Sequence, residues 1–181
     1  MGGWVFAYGS LMWDPGVPVR ESVTARLEGY ARSFCLRSLR HRGTPEVPGL
    51  VLGLEEAAGA ACTGLAFRVA DADWRAALAN LRERELVTAA YRESMVPLAL
   101  ADGRRVEAVA YVMRLGHVQH VRGLSPDEQA AIIARAHGGR GPNADYLFNT
   151  VAQLGRLGMA DPDLDGLAQR VRALLGGQGA A

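Results

Sequence analysis

The sequence predicts an α+β fold with strands first and helices last. Short apolar runs bounded by Gly, Pro and Asp fill the first two-thirds of the 181 residues, and helix caps with helical apolar spacing fill the last third. With 49% hydrophobic and 22% charged residues, the composition is that of a folded domain with a sizeable core. We expect one domain over residues 1–175, with 176–181 as a frayed tail.

The first element is Trp4-Val5-Phe6-Ala7, a buried strand that closes on Tyr8-Gly9-Ser10-Leu11. Gly9 would tolerate a positive φ and a close backbone approach, and Ser10 adds a hydroxyl. Main-chain N–H groups on such a corner suit a carboxylate or a developing oxyanion. Residues 14–18 form a turn-rich loop. Residues 27–38, around Tyr30 and Phe34, read as two strand-like pieces, and 40–48 as a loop punctuated by Gly43, Pro45 and Pro48. Residues 50–54 and 62–69 read as two further strands. Residues 96–100 and 106–113 flank Ala101-Asp102-Gly103, a hairpin signal.

Ser125-Pro126-Asp127-Glu128 combines an N-cap Ser, Pro at the first helical position and Glu at the third, a capping box that opens a helix to about Gly138. Asn143 is placed to cap a second helix through Leu157, and Asp161 or Asp163 a third through Leu175.

One earlier helical stretch, residues 71–85, carries an anomaly. Trp74, Leu78 and Leu81 share an apolar stripe, and four residues on, the same stripe reaches Glu85, with Glu83 on the opposite face. If the helix extends that far, Glu85 points toward the core, where burial raises a carboxyl pKa toward the range of a working general base. If it ends near Arg82, Glu85 is a solvated turn residue.

Bulk properties narrow the function classes. A net charge of +1 gives no electrostatic case for nucleic acid or an anionic membrane. All 20 basic residues are Arg, which excludes lysine chemistry. No apolar run approaches the roughly 20 residues of a membrane span, and no charged-then-apolar signal pattern opens the chain. Two cysteines, Cys35 and Cys62, give no disulfide framework and read as small apolar packing residues, so a cytoplasmic protein is the default. His117 and His120 are three apart but lack a third ligand nearby, so no metal is expected. Arg40-His41-Arg42 either binds a substrate carboxylate or orders its loop.

Taken in order, Trp4 to Trp13, Gly29-Tyr30, His41 to Gly49, Arg84-Glu85, Tyr91-Arg92, Gly141-Pro142-Asn143 and Tyr146-Leu147-Phe148 resemble the ChaC family of glutathione-specific γ-glutamylcyclotransferases. This chain has Ala7 where the family usually has Gly before Tyr-Gly-Ser. The resemblance implies a small mixed β-barrel with surrounding helices, a small-molecule substrate, and no metal or organic cofactor. It places the family's catalytic glutamate on Glu85, its γ-glutamyl-binding segment on Val5, Phe6, Ala7, Tyr8, Gly9, Ser10 and Leu11, and a substrate-reaching tyrosine on Tyr146, which could equally be a packed helix residue. The implied reaction closes a γ-glutamyl amide to 5-oxoproline. Another γ-glutamyl amide or amine, or a catalytically silent binding module on the same barrel, are the competing readings. In either catalytic case the corner and Glu85 should line one pocket. Nothing in the sequence sets the oligomeric state.

Overall fold

The computed structural model describes residues 2–177. In chain order the elements are β1 (Trp4–Ala7), a 3₁₀ turn (Ser10–Met12), β2 (Glu21–Ser38), β3 (Gly49–Arg68), α1 (Trp74–Glu85), β4 (Tyr91–Leu100), β5 (Arg105–Met113), α2 (Pro126–Arg135), the short β6 (His137–Gly138) and β7 (Gly141–Pro142), α3 (Asn143–Arg156) and α4 (Pro162–Gly177). The chain divides into two compact units, Met1–Ser33 with Gly53–His117, and Phe34–Leu52 with Val118–Ala181.

The first unit holds all of β1, β4 and β5 and most of β2 and β3. Five strands close in the order β1-β3-β2-β4-β5. β1 runs antiparallel to β3, with Ala7 opposite Leu65, and parallel to β5, with Val5 opposite Val109. That one parallel contact makes the barrel mixed. β4 and β5 form an antiparallel hairpin from Tyr91–Met113 to Ala99–Arg105. Its turn is the predicted one: Gly103 takes φ 90° and its N–H donates to the Leu100 carbonyl at 3.0 Å. Alternate residues of the strands meet in one apolar cluster that includes Phe6, Tyr8, Leu27, Ala66, Leu98 and Val112. Cys62 belongs to this cluster and packs as an apolar residue.

The strands are longer than the sequence suggested. The two pieces expected in 27–38 belong to one 18-residue strand, and the separate strands 50–54 and 62–69 to one of 20 residues. Gly29 and Gly59, both at φ 79°, sit inside these strands and allow a bend without ending them.

In the second unit α2, α3 and α4 contact one another. The capping box at Ser125 is formed, the Glu128 N–H donating to the Ser125 hydroxyl. The helix stops at Arg135, short of the expected Gly138, because residues 137–138 pair with 141–142 instead. Asn143 is not an N-cap; Pro142 holds that position. The Asn143 side chain is fully buried and makes two bonds to Leu50, accepting from its N–H and donating to its carbonyl, each at 2.7 Å. Asp161, not Asp163, caps α4, accepting from the Leu164 N–H. α4 continues through Gly177, so Gly176 and Gly177 are helical where a frayed tail was expected; residues 178–181 lie outside the described residues.

Candidate active site

α1 carries its apolar stripe to the end. Ala77 and Leu81 are buried, Trp74, Leu78 and Glu85 are partly buried, and Glu83 is exposed. The Trp74 ring packs where a Cβ on Gly3 would stand, 2.3 Å from the nearest ring carbon, so the start of the helix seats directly on the chain entering β1. The helix begins at Trp74 rather than Asp71, whose carboxylate instead accepts from the Gly2 N–H. It ends with Glu85, the Leu86 N–H closing on the Arg82 carbonyl. Glu85 is therefore a last-turn residue on the core-facing stripe, and its side chain keeps 17% of its accessible surface. Burial raises its carboxyl above the ordinary carboxylate range, and the charge of Arg84 opposes that rise.

The Tyr8–Leu11 corner is built by β1 and a single 3₁₀ turn. Val5, Phe6 and Ala7, the start of the expected binding segment, are fully buried, with β1 paired to β3 and β5, and they lead the chain into the corner. Gly9 has φ −139° and ψ −134°, not the left-handed conformation its residue type allowed. The turn closes when the Met12 N–H donates to the Gly9 carbonyl at 2.9 Å, which leaves the N–H groups of Ser10 and Leu11 ahead of the first bonded donor. Tyr8 is buried, and its hydroxyl donates to the Tyr111 carbonyl at 2.9 Å. Arg32 on β2 donates to the Tyr8 carbonyl at 2.9 Å and to the Thr63 carbonyl, tying β2 and β3 to the corner. Gly64 permits that approach: a Cβ there would lie 2.3 Å from the Ala7 carbonyl oxygen. Leu11 is buried and Ser10 is partly exposed.

Arg84 connects the corner to Glu85. Its Nε stands 3.2 Å from Glu85 Oε1. Its Nη2 donates to Ser10 Oγ at 3.2 Å, and its Nη1 to the Asp14 carbonyl at 2.8 Å. On the barrel side, Tyr111 is buried and its hydroxyl lies 3.4 Å from Glu93 Oε2, while Glu93 takes two bonds from Arg82 at 2.7 Å. Burial and the charges of Glu93 and Glu85 push the Tyr111 hydroxyl well above its usual range, so it stays a proton donor.

Sequence reasoning missed Arg32, Tyr111 and the role of Arg84. Arg84 matched a motif, but an arginine in a last helical turn is what the helix dipole favours anywhere. Tyr111 sits in β5, where every residue from Ala108 to Met113 is buried, so no alternation marks one face as special. A cavity of about 480 Å³ also opens on the barrel unit, lined by Glu56, Arg92, Met113, Arg114 and His117 among others; neither Glu85 nor the corner lines it.

Tyr146 lies in the other unit, partly buried on α3. Its ring packs edge-on against Phe34, with centroids 5.8 Å apart, and under the Arg42 guanidinium at 5.6 Å. Arg42 also donates to the Pro142 carbonyl at 3.1 Å, and the Gly139 and Arg140 N–H groups donate to the Arg40 and His41 carbonyls. Arg42 thus helps to order this loop, as the second of the two readings its sequence allowed has it.

The ChaC-like protein family model matches residues 3–174. The chain is 40% identical over 172 residues to the glutathione-specific γ-glutamylcyclotransferase of Escherichia coli, covering 95% of this chain and 74% of that one. It is 35% identical to γ-glutamylcyclotransferase 2-3 of Arabidopsis thaliana, covering 97% and 91%. Its fold is similar to the crystal structure of a yeast γ-glutamyl cyclotransferase specific to glutathione, with a TM-score of 0.84 over 95% of this chain and 96% of that one at 22% identity.

Proposed function

The chain belongs to the ChaC-like protein family, and from that premise we propose that it is a γ-glutamylcyclotransferase acting on glutathione, with Glu85 as its general acid–base. The observation that carries this reading is a carboxylate with a burial-raised pKa at the end of α1, joined through Arg84 to the donor-bearing corner. A silent binding module has no use for a carboxylate held at that cost.

In the reaction we propose, the substrate's α-amino nitrogen attacks its own γ-carbonyl carbon. That C–N bond forms, the amide C–N bond breaks, and the products are 5-oxoproline and Cys-Gly. No protein nucleophile is needed, and Ser10 is a binding residue. Holding the glutamyl chain folded supplies much of the acceleration, since oriented intramolecular reactions reach effective molarities of ~10⁵–10⁸ M. Glu85 takes the proton that the attacking nitrogen sheds and returns it to the leaving nitrogen, a role worth ~10²–10⁴-fold. The Ser10 and Leu11 N–H groups suit the α-carboxylate or the developing oxyanion. On the family resemblance, we keep the Tyr146 hydroxyl as a candidate donor to the substrate. The chemistry as written uses no metal or organic cofactor.

We place the reaction in the cytoplasm, where thiols stay reduced; Cys35 and Cys62 are both buried and in the thiol form. No described helix is long and apolar enough to cross a membrane.

The test offers glutathione, γ-Glu-Ala and γ-glutamyl-ε-lysine separately to the purified protein and measures 5-oxoproline. Product from glutathione at a kcat/KM at least tenfold above the other two is the expected result. Preference for another member reassigns the substrate, and no product from any of the three ends the enzymatic reading.

A further inference from the structure

All three nitrogens of the Arg84 guanidinium stand against protein acceptors. The head has five N–H donors in a fixed planar fork. Nε faces Glu85 Oε1 at 3.2 Å, Nη2 donates to Ser10 Oγ at 3.2 Å, and Nη1 donates to the Asp14 carbonyl at 2.8 Å with Asp14 Oδ2 at 3.4 Å. The loop after the corner folds around it: Gly16, at φ 63°, brings its Cα close enough that a Cβ would lie 3.3 Å from Arg84 Nη1. A side chain on the last turn of α1 therefore spans the helix, the corner and the following loop.

We propose that Arg84 is the positioning residue of this site, a clamp that fixes the Glu85 carboxylate at a set distance from the Tyr8–Leu11 corner. The proposal rests on the cyclotransferase reading of the site and adds to it the part that sets the gap in which the glutamyl chain folds. The Arg84 donors to Ser10 Oγ and the Asp14 carbonyl already point at protein acceptors, so the part assigned to Arg84 is positioning and not anion binding. Lysine cannot replace it: a single ammonium has the charge but not the planar fork that reaches three acceptors at once. Within its reach the clamp also decides where Glu85 titrates. The groups facing that carboxylate are Arg84 from its own helix and Tyr111 from β5, with Glu93 of β4 and Arg82 of α1 behind the tyrosine. Arg84 is the cation among them in direct contact with Glu85, and it opposes the effect of burial.

The test compares wild type, Arg84→Met and Arg84→Lys by the pH dependence of kcat and kcat/KM for 5-oxoproline release from glutathione. It adds a pH titration of the Glu85 carboxyl carbon by NMR, assigned by its loss in Glu85→Gln. Glu85 must be ionised to accept the proton, so the acid limb of kcat/KM follows its pKa. With Arg84→Met the limb and the NMR midpoint move to higher pH, and kcat at the optimum falls by about 10–10²-fold, the scale of a misplaced catalytic group. With Arg84→Lys the midpoint returns toward wild type while kcat stays low, since charge is restored and geometry is not. A purely structural role would reduce the folded fraction and leave both midpoints unmoved. Arg84→Met with a wild-type midpoint, or Arg84→Lys with wild-type kcat, overturns the clamp. Should Arg84→Met not fold, the Arg84→Lys outcome decides alone. If wild type releases no 5-oxoproline at any pH, the cyclotransferase reading has failed and takes the clamp with it; an active wild type with insensitive variants fails the clamp only.

Discussion

Burial of the Glu85 carboxyl has a thermodynamic sign as well as the chemical use we propose for it. Its folded-state pKa is raised above the unfolded value, so the folded protein favours the protonated form. A raised pKa contributes stability that is present below the unfolded pKa and is lost as pH rises through the folded one. Once ionised, the buried carboxylate is thus a net burden on folding, as a group kept for function rather than stability usually is. Glu85→Gln removes the burden. Its unfolding free energy at pH 7 should exceed that of wild type by on the order of 1 kcal/mol, with a higher Tm, and the difference should shrink as pH falls to about 4. Calorimetry of the two proteins across that range checks it, and a variant no more stable at pH 7 than at pH 4, relative to wild type, contradicts the burial we assign to Glu85.

Among the elements, the short ones that carry the proposed site follow their sequence most closely. The α1 stripe through Trp74, Leu78 and Leu81 pointed to Glu85 from periodicity alone, and the apolar run ending at Tyr8-Gly9-Ser10 placed β1 and its corner. The long β2 and β3 were legible only in part. Residues 27–38 read as two pieces and 50–54 and 62–69 as separate strands, yet each set belongs to one long strand that continues through a glycine at positive φ. Asn143 was misread as a cap because its residue type favours that position; its amide instead satisfies both main-chain groups of Leu50, a partner 93 residues away that no local pattern shows. The same kind of long-range contact makes Gly64 a test of how the corner is held. Gly64→Ala places a methyl against the Ala7 carbonyl in a packed ladder, an overpacking worth about 1–3 kcal/mol. We expect Tm to drop and kcat/KM for glutathione to fall by more than the lost folded fraction explains, because β1 must shift where the corner begins. Wild-type kinetics in the folded fraction would show that the corner tolerates that displacement.

At the scale of the whole molecule, the family resemblance and the residue-level reading supported different things. The resemblance supplied the barrel, which local patterns could not: closure depends on β1 pairing with β3 on one side and β5 on the other, contacts set by register and not by composition. The residue-level reading supplied the reason a carboxylate sits on a core-facing stripe. The two meet at Glu85, and the account stands or falls there. The most direct measurement is the single-turnover rate of 5-oxoproline formation from glutathione by Glu85→Gln, with its thermal unfolding recorded alongside. We predict a folded protein with the rate reduced by at least ~10². A folded Glu85→Gln that turns over at the wild-type rate would contradict the assignment of Glu85 as the group that moves the proton.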